Sequence, residues 1–214
     1  MTKIILVRHG QSEANFKRIF TGQGDFPLTE LGRQQALAAG KYIKAHEKIS
    51  AVYASPLSRA FETGSIIAKE NDVPIIPHDG LMEIYAGEWE GRLFDDIEKE
   101  YPESYSVWKS DIGHACPNGG EEVRKLFERC FFTVRSIAKQ NPDTTIVLAT
   151  HATPIRALST YWQGIEIDNM KDVPWCINAS MTEVYFDTER EFFGFKTNLC
   201  EHLAGIETAL TSNV

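Results

Sequence analysis

Short apolar runs alternate with helix-patterned stretches along this chain, and that alternation restricts the fold more than any other feature. Ile4-Ile5-Leu6-Val7 marks a first strand over residues 3–7. Thr29 can cap a helix running to His46, with Leu31, Ala38, Tyr42 and Ala45 near one face. Ala51-Val52-Tyr53-Ala54 is a second strand, and Ser55-Pro56 then opens a helix to Asn71, serine as cap and proline in the first turn. Val73-Pro74-Ile75-Ile76 is a third strand, placed near an edge by its proline. A long helix over Glu121–Gln140 ends at Asn141-Pro142. Thr145-Ile146-Val147-Leu148-Ala149 is the most hydrophobic strand and the expected sheet centre, followed by a helix over Pro154–Trp162. Residues 180–187 and 191–197 read as a hairpin. Strands alternating with helices predict an α/β fold: a mostly parallel central sheet with helices on both faces. The hairpin must add an antiparallel strand.

The intervening stretches are long. Residues 8–28 form a Gly-rich polar loop long enough to be a binding loop. Residues 78–92 are a second loop, and 94–112 read as short helices. The expected organisation is one domain over 1–214, with a helical and loop cap near 78–120.

The formal charge of −8 disfavours a nucleic-acid groove and makes any anion site a local pocket, not a global field. Cys116, Cys130, Cys176 and Cys200 form no Cys-x-x-Cys pair and read as reduced thiols, so a cytoplasmic location is expected. No apolar run reaches about 18 residues, and no leader pattern opens the chain, so neither a membrane span nor a signal peptide is expected.

The residues able to do chemistry follow strand ends. Arg8-His9-Gly10 comes directly after the first strand, Arg59 opens the helix after the second, and His151 follows the strand over 145–149. In open α/β sheets, ligands bind in the crevice beyond the carboxyl ends of the strands. A neutral imidazole at His9 can attack phosphorus. Arg8 and Arg59 suit the phosphoryl oxygens, because planar guanidinium pairs bidentately with phosphate. His151, if protonated, adds charge as the transition state develops, and Asn15 can donate its amide. Glu83 can hold a proton for the leaving oxygen if its pKa is raised. Taken singly, each has an ordinary alternative: Arg59 a surface charge, Glu83 a solvated carboxylate, His151 a helix cap. His46, His78, His114 and His202 lack such company and read as surface or structural. No Gly-x-x-x-x-Gly-Lys, His-Glu-x-x-His or Gly-x-Ser-x-Gly motif is present.

Five segments, in order, carry a more specific signal. Arg8-His9-Gly10-Gln11-Ser12-Glu13-Ala14-Asn15, Thr21-Gly22-Gln23-Gly24 running on to Thr29-Glu30-Leu31-Gly32, Ser55-Pro56-Leu57-Ser58-Arg59-Ala60, Leu81-Met82-Glu83 and Thr150-His151-Ala152 with Arg156 resemble the histidine phosphatase superfamily, the phosphoglycerate mutase-like proteins. The resemblance implies that fold and a histidine acid phosphatase-type phosphomonoesterase acting on a small-molecule phosphate ester. It implies His9 phosphorylated, Glu83 as general acid and Arg8, Arg59 and His151 as the phosphate pocket. Asn15, Gln11, Thr21, Gly22 and Ala152 become substrate-binding candidates, with no metal and no cofactor. The short stretch Ile84-Tyr85-Ala86-Gly87-Glu88-Trp89-Glu90-Gly91 resembles the phosphatase branch, so water is expected to take the phosphoryl group. A bisphosphoglycerate-dependent phosphoglycerate mutase and a catalytically silent phospholigand-binding module are the alternatives. Three positions depart from the family pattern: Ala152 where glycine is usual, Glu62 where glutamine is common, and Glu122 in place of a serine. They are expected to tune substrate choice. Leaving-group contacts are expected from loops 16–26, 84–118 and 152–154, with Phe16, Phe20, Tyr85, Trp89, Trp108 and Glu122 as candidates.

Overall fold

The computed structural model describes residues 1–209. In chain order its elements are β1 (Thr2–Arg8), α1 (Glu13–Lys17), β2 (Ile19–Phe20), α2 (Glu30–His46), β3 (Ile49–Ala54), α3 (Ser58–Asn71) and β4 (Ile75–Pro77). There follow β5 (Arg92–Leu93), α4 (Phe94–Glu100), α5 (Pro102–Ser110), α6 (Val123–Gln140), β6 (Thr145–Thr150), α7 (Ala152–Trp162), β7 (Met181–Asp187) and β8 (Glu191–Leu199). The main sheet has the order β4-β3-β6-β1-β7-β8. β4, β3, β6 and β1 run parallel, while β7 and β8 are antiparallel additions. The proline-bearing strand is at an edge and β6 is interior, as their sequences predict.

Alternate residues of β1 feed opposite cores. Ile4 and Leu6 join Ile146, Leu148, Val184 and Phe186 under α6 and α7. Ile5 and Val7 join Val52, Val147 and Met181 under α2 and α3. A continuous apolar run is what a strand covered on both faces requires. The first core extends without a break into Phe94, Ile97, Tyr105, Trp108 and Ile112 of the 78–120 region.

Three local expectations are corrected. The buried face of α2 is Gly32, Gln35, Ala36, Ala39, Gly40 and Ile43, displaced from the face through Leu31, Ala38, Tyr42 and Ala45. Gly40 is small because α3 approaches closely, a Cβ there standing 3.3 Å from the Ile67 Cα, and Gln35 is buried because it accepts from the Gln11 N–H and donates to the Ile206 carbonyl. α3 begins at Ser58 rather than at Ser55, and Leu57 in the cap position gives it no side-chain cap. The 8–28 loop contains α1 and the short strand β2, which pairs with β5 across more than 70 residues of chain. Two-residue strands have no periodicity to read.

Gly10 marks a contact on which the site depends. A Cβ there would lie 2.2 Å from the Gly32 carbonyl oxygen, and a Cβ on Gly32 would lie 2.1 Å from that of Gln11. The site loop thus sits directly on the first turn of α2, and neither backbone can yield. Gly10→Ala is expected to cost about 3 kcal/mol, at the upper end for overpacking, and to lower Tm by roughly 6–12 °C. Calorimetry of the purified variant checks this; an unchanged Tm would contradict it.

Candidate active site

The register of two parallel strands builds the centre of the site. Arg8 of β1 is level with Thr150 of β6, so His9 and His151 leave adjacent strands together. The His9 backbone N–H donates to the Thr150 carbonyl at 2.9 Å, and the two imidazole rings meet edge to face with centroids 5.2 Å apart. On the other side of β6, Ser55 leaves β3 beside Ala149. Its Oγ lies 2.8 Å from His151 Nε2. The serine read as a helix cap therefore holds a histidine ring, a link invisible in sequence because 96 positions separate the pair.

His9 Nδ1 lies 2.7 Å from the Gly10 carbonyl oxygen. A carbonyl can only accept, so Nδ1 carries the proton and Nε2 keeps its lone pair. Burial, then the charges of Arg59 and Arg8, hold the His9 pKa well below the ordinary imidazole range. The ring is neutral at pH 7. The same burial and cations hold the His151 pKa well below the ordinary imidazole range, favouring its neutral form. The charge expected there has to come with a phosphoryl dianion, whose field favours protonation.

Arg8 donates Nη1 to the Cys176 carbonyl at 2.5 Å. Arg59 donates Nη1 to Gly24 O at 2.9 Å and Nη2 to Gly22 O at 2.8 Å, fixing the loop over residues 22–24. Burial lowers the Arg59 pKa to about 10, so it remains a cation at neutral pH. Arg8 Nε, Arg59 Nε and His151 Nδ1 are buried without a hydrogen-bond partner. Buried polar nitrogens are nearly always paired, and each exception calls for a reason. Three around one imidazole form a nest suited to an oxyanion.

Glu83 follows a 3-10 turn over Asp79–Leu81. Its Oε1 accepts from the Ile84 N–H at 2.8 Å and its Oε2 from the Thr153 N–H at 3.4 Å. Burial raises its pKa above the usual carboxylic value, against the lowering effect of the Ile84 bond and of Arg59. Arg129 of α6 fixes this loop from behind. Its guanidinium donates to the carbonyls of Gly80, Met82 and Glu83 at 3.0–3.3 Å and pairs with Glu121 at 2.8 Å. Nothing in the sequence of α6 distinguishes Arg129 from a surface cation.

A cavity of about 460 Å³ opens onto this centre. Arg8, His9, Gln11, Asn15, Thr21, Gly22, Glu83 and Ala152 line it. Arg59 and His151, both fully buried, stand behind its wall. Asn15 Oδ1 accepts from Ser12 N–H and from Asn178 Nδ2, leaving Nδ2 as a donor. Gln11 Oε1 accepts from Thr29 Oγ1 at 2.8 Å. Gly22 has φ +51°, and a Cβ there would meet the Glu90 carboxylate at 2.5 Å. Thr153 lines the cavity from the expected 152–154 loop, whereas Trp175, Asn178 and Glu207 also line it and were not anticipated. These last three come from distant segments with no local motif.

Phe16, Phe20 and Trp108 reach the cavity as expected, whereas Tyr85, Trp89 and Glu122 do not. Trp89 is packed in the core and Tyr85 faces solvent. Glu62 pairs with Arg33 at 2.6 Å, and Glu122 pairs with Lys125 at 3.0 Å beside the start of α6. Neither touches the cavity, so the expectation that they tune substrate choice is corrected. Of the three departures only Ala152 meets it. Arg156 donates to the Val173 and Lys171 carbonyls and supports Trp175. His46, His78, His114 and His202 lie off the cavity: His46 stacks on Tyr42, His78 accepts from the Gly80 N–H, His114 pairs with Asp111, and His202 bonds the Ala179 carbonyl. The four cysteines are free. No helix among the described residues is long and apolar enough to cross a membrane.

Phosphoserine phosphatase 1 of Hydrogenobacter thermophilus is 29% identical over 203 residues, covering 95% of both chains. Phosphoglycerate mutase-like protein 4 of Arabidopsis thaliana is 35% identical over 158 residues, 73% of this chain and 69% of that protein. Among solved structures, Bacillus stearothermophilus YhfR superposes with a TM-score of 0.87 at 29% identity, covering 95% of this chain and 100% of that one. A mycobacterial glucosyl-3-phosphoglycerate phosphatase in complex with VO3 gives 0.81 at 25% identity, covering 92% and 97%. These likenesses, with phosphatases prominent among the relatives, support an enzyme acting on phosphate monoesters. Residues 4–196 match the family model described as the histidine phosphatase superfamily (branch 1), and the chain belongs to that superfamily.

Proposed function

We propose that this protein hydrolyses a small phosphate monoester through a phosphohistidine on His9. The observation that carries the reading is the nest of three unpartnered buried nitrogens, Arg8 Nε, Arg59 Nε and His151 Nδ1, around an imidazole whose tautomer leaves Nε2 nucleophilic. Unaided monoester hydrolysis is among the slowest of reactions, so the site must supply on the order of 20 kcal/mol or more. Fixed cations and donors offset charge on the non-bridging oxygens. His9 Nε2 attacks phosphorus as the P–O bond to the leaving group breaks. Glu83, whose burial favours the protonated form, gives its proton to the departing alkoxide. It then accepts a proton from the water that attacks the phosphohistidine. That water takes the phosphoryl group, and His9 leaves as the neutral ring. Arg8 and His9 would touch the phosphoryl group directly, with Asn15, Gln11, Thr21, Gly22 and Ala152 bounding it. Arg59 and His151 act from the buried side. No metal and no organic cofactor enters this scheme.

The alternative fate of the intermediate is return to a second acceptor, as in a mutase. 3-Phosphoglycerate supplied with a trace of 2,3-bisphosphoglycerate separates the two. Release of inorganic phosphate without 2-phosphoglycerate is the expected result, read by phosphorus NMR. Accumulation of 2-phosphoglycerate would replace the hydrolase reading. Phosphate binding with no turnover across a broad ester panel would favour a silent binding module.

A further inference from the structure

The half of the cavity beyond the phosphate nest is built for a flat apolar group. Phe94, Trp108, Trp175, Ile19 and Phe16 line it. Trp108 is buried and rigidly held: Phe20 packs against it with centroids 5.1 Å apart, and Trp175 lies at 6.4 Å, tilted by 34°. Trp175 is itself fixed, because the Arg156 guanidinium lies 4.3 Å from its ring centroid and is anchored to the backbone at Val173 and Lys171. Phe16, on the same cavity wall, is 74% exposed. Aromatic walls held in place recognise planar apolar groups with little ordering cost.

Small charged leaving groups find less here. A serine or glycerate would bring a carboxylate needing a cation. The guanidinium on this part of the wall, Arg18, is already paired with Asp95 at 3.6 Å. The side chains of Ile19, Phe94, Trp108 and Trp175 on this wall are apolar over most of their surface and cannot replace the water lost by a carboxylate or ammonium.

Resting on the phosphomonoesterase reading, we infer that the preferred substrates are monoesters whose leaving alcohol carries an aromatic or bulky apolar group, seated between Trp108, Trp175 and Phe16. Phosphorylated short polar acids are the poorer class.

The test compares 2-phenylethyl phosphate with ethyl phosphate and O-phosphoserine. The first two release alkyl alcohols, so a difference between them reports ring binding and not the leaving ability of a phenol. Burying a phenyl ring predicts a kcat/KM about 10- to 100-fold higher for the phenylethyl ester than for ethyl phosphate. Its advantage over O-phosphoserine is of the same order. Trp108→Ala is expected to cut the phenylethyl-to-ethyl ratio at least about fivefold. Phe16→Ala, at an exposed position where folding is not at stake, should lower the same ratio about two- to threefold. In parallel, calorimetry with 2-phenylethylphosphonate and ethylphosphonate reads binding without turnover. Equal kcat/KM values, or a preference for O-phosphoserine, would overturn the aromatic subsite while leaving the phosphatase reading intact. A phenylethylphosphonate preference with no ester hydrolysed would support the subsite and overturn the phosphatase. Equal binding of the two phosphonates would overturn the subsite regardless of activity.

Discussion

His9→Ala is expected to lower turnover of every phosphate ester by about 10⁴-fold or more, because it removes the atom that forms the covalent intermediate. The substitution deletes a buried ring, yet the fold's two apolar cores lie on the faces of the sheet and His9 belongs to neither. Circular dichroism should show an intact α/β protein. Wild-type enzyme quenched during turnover of a phosphorus-32-labelled ester should carry label that is lost in acid and kept in alkali, as expected of a phosphoramidate. The variant should carry none. Sustained turnover by His9→Ala, or label on another side chain, would rule out the mechanism.

Glu83→Gln carries the second large effect, and its size should depend on the leaving group. Glutamine retains the shape but has no proton to give. For alkyl esters, whose alkoxides leave poorly, a loss of about 10²–10⁴ in kcat is expected. For p-nitrophenyl phosphate, whose phenolate departs unaided, the loss should be below about tenfold. Equal losses on both would mean that Glu83 positions substrate and does not donate a proton. The pH profile gives an independent reading. Attack needs neutral His9, so kcat/KM rises with pH through the His9 pKa, which burial and the two guanidinium charges hold well below 6.5. Donation needs protonated Glu83, so kcat/KM falls as pH rises through the Glu83 pKa, which burial places above 4.5. The acid limb, set by His9, is therefore displaced below the ordinary imidazole range, and the alkaline limb, set by Glu83, above the ordinary carboxylic range. Glu83→Gln should remove the alkaline limb for aryl esters and leave the acid limb in place.

Much of this site was readable because its residues sit next to the strands that place them. Arg8, His9 and His151 each lie within two residues of the end of a continuous apolar run, and such runs identify buried strands locally. Arg59 needs only one further turn of chain, in the helix after β3. Other features had no local signal. Ser55 was readable as a turn residue but not as the partner of His151. Arg129 reaches back 46 to 49 positions to hold the Glu83 loop. The face of α2 was misjudged because hydrophobicity was taken to mark the contact, whereas the buried face is set by close backbone approach, of α3 at Gly40 and of the site loop at Gly32. Glu62 and Glu122 stand next to family motifs in sequence, yet their side chains leave for surface ion pairs.

By itself the sequence determined which segments are buried on both faces, where each strand stops, and which acid, base and cationic groups follow those stops. Those are properties of short windows, written in apolar runs, caps and turn residues. Tertiary structure alone decided that β1 and β6 are parallel neighbours in a register that sets His9 beside His151, and that the aromatic side chains of four separate segments close one cavity. Strand order and register follow from the simultaneous burial of both sheet faces, a condition on the whole chain that no short stretch of it contains.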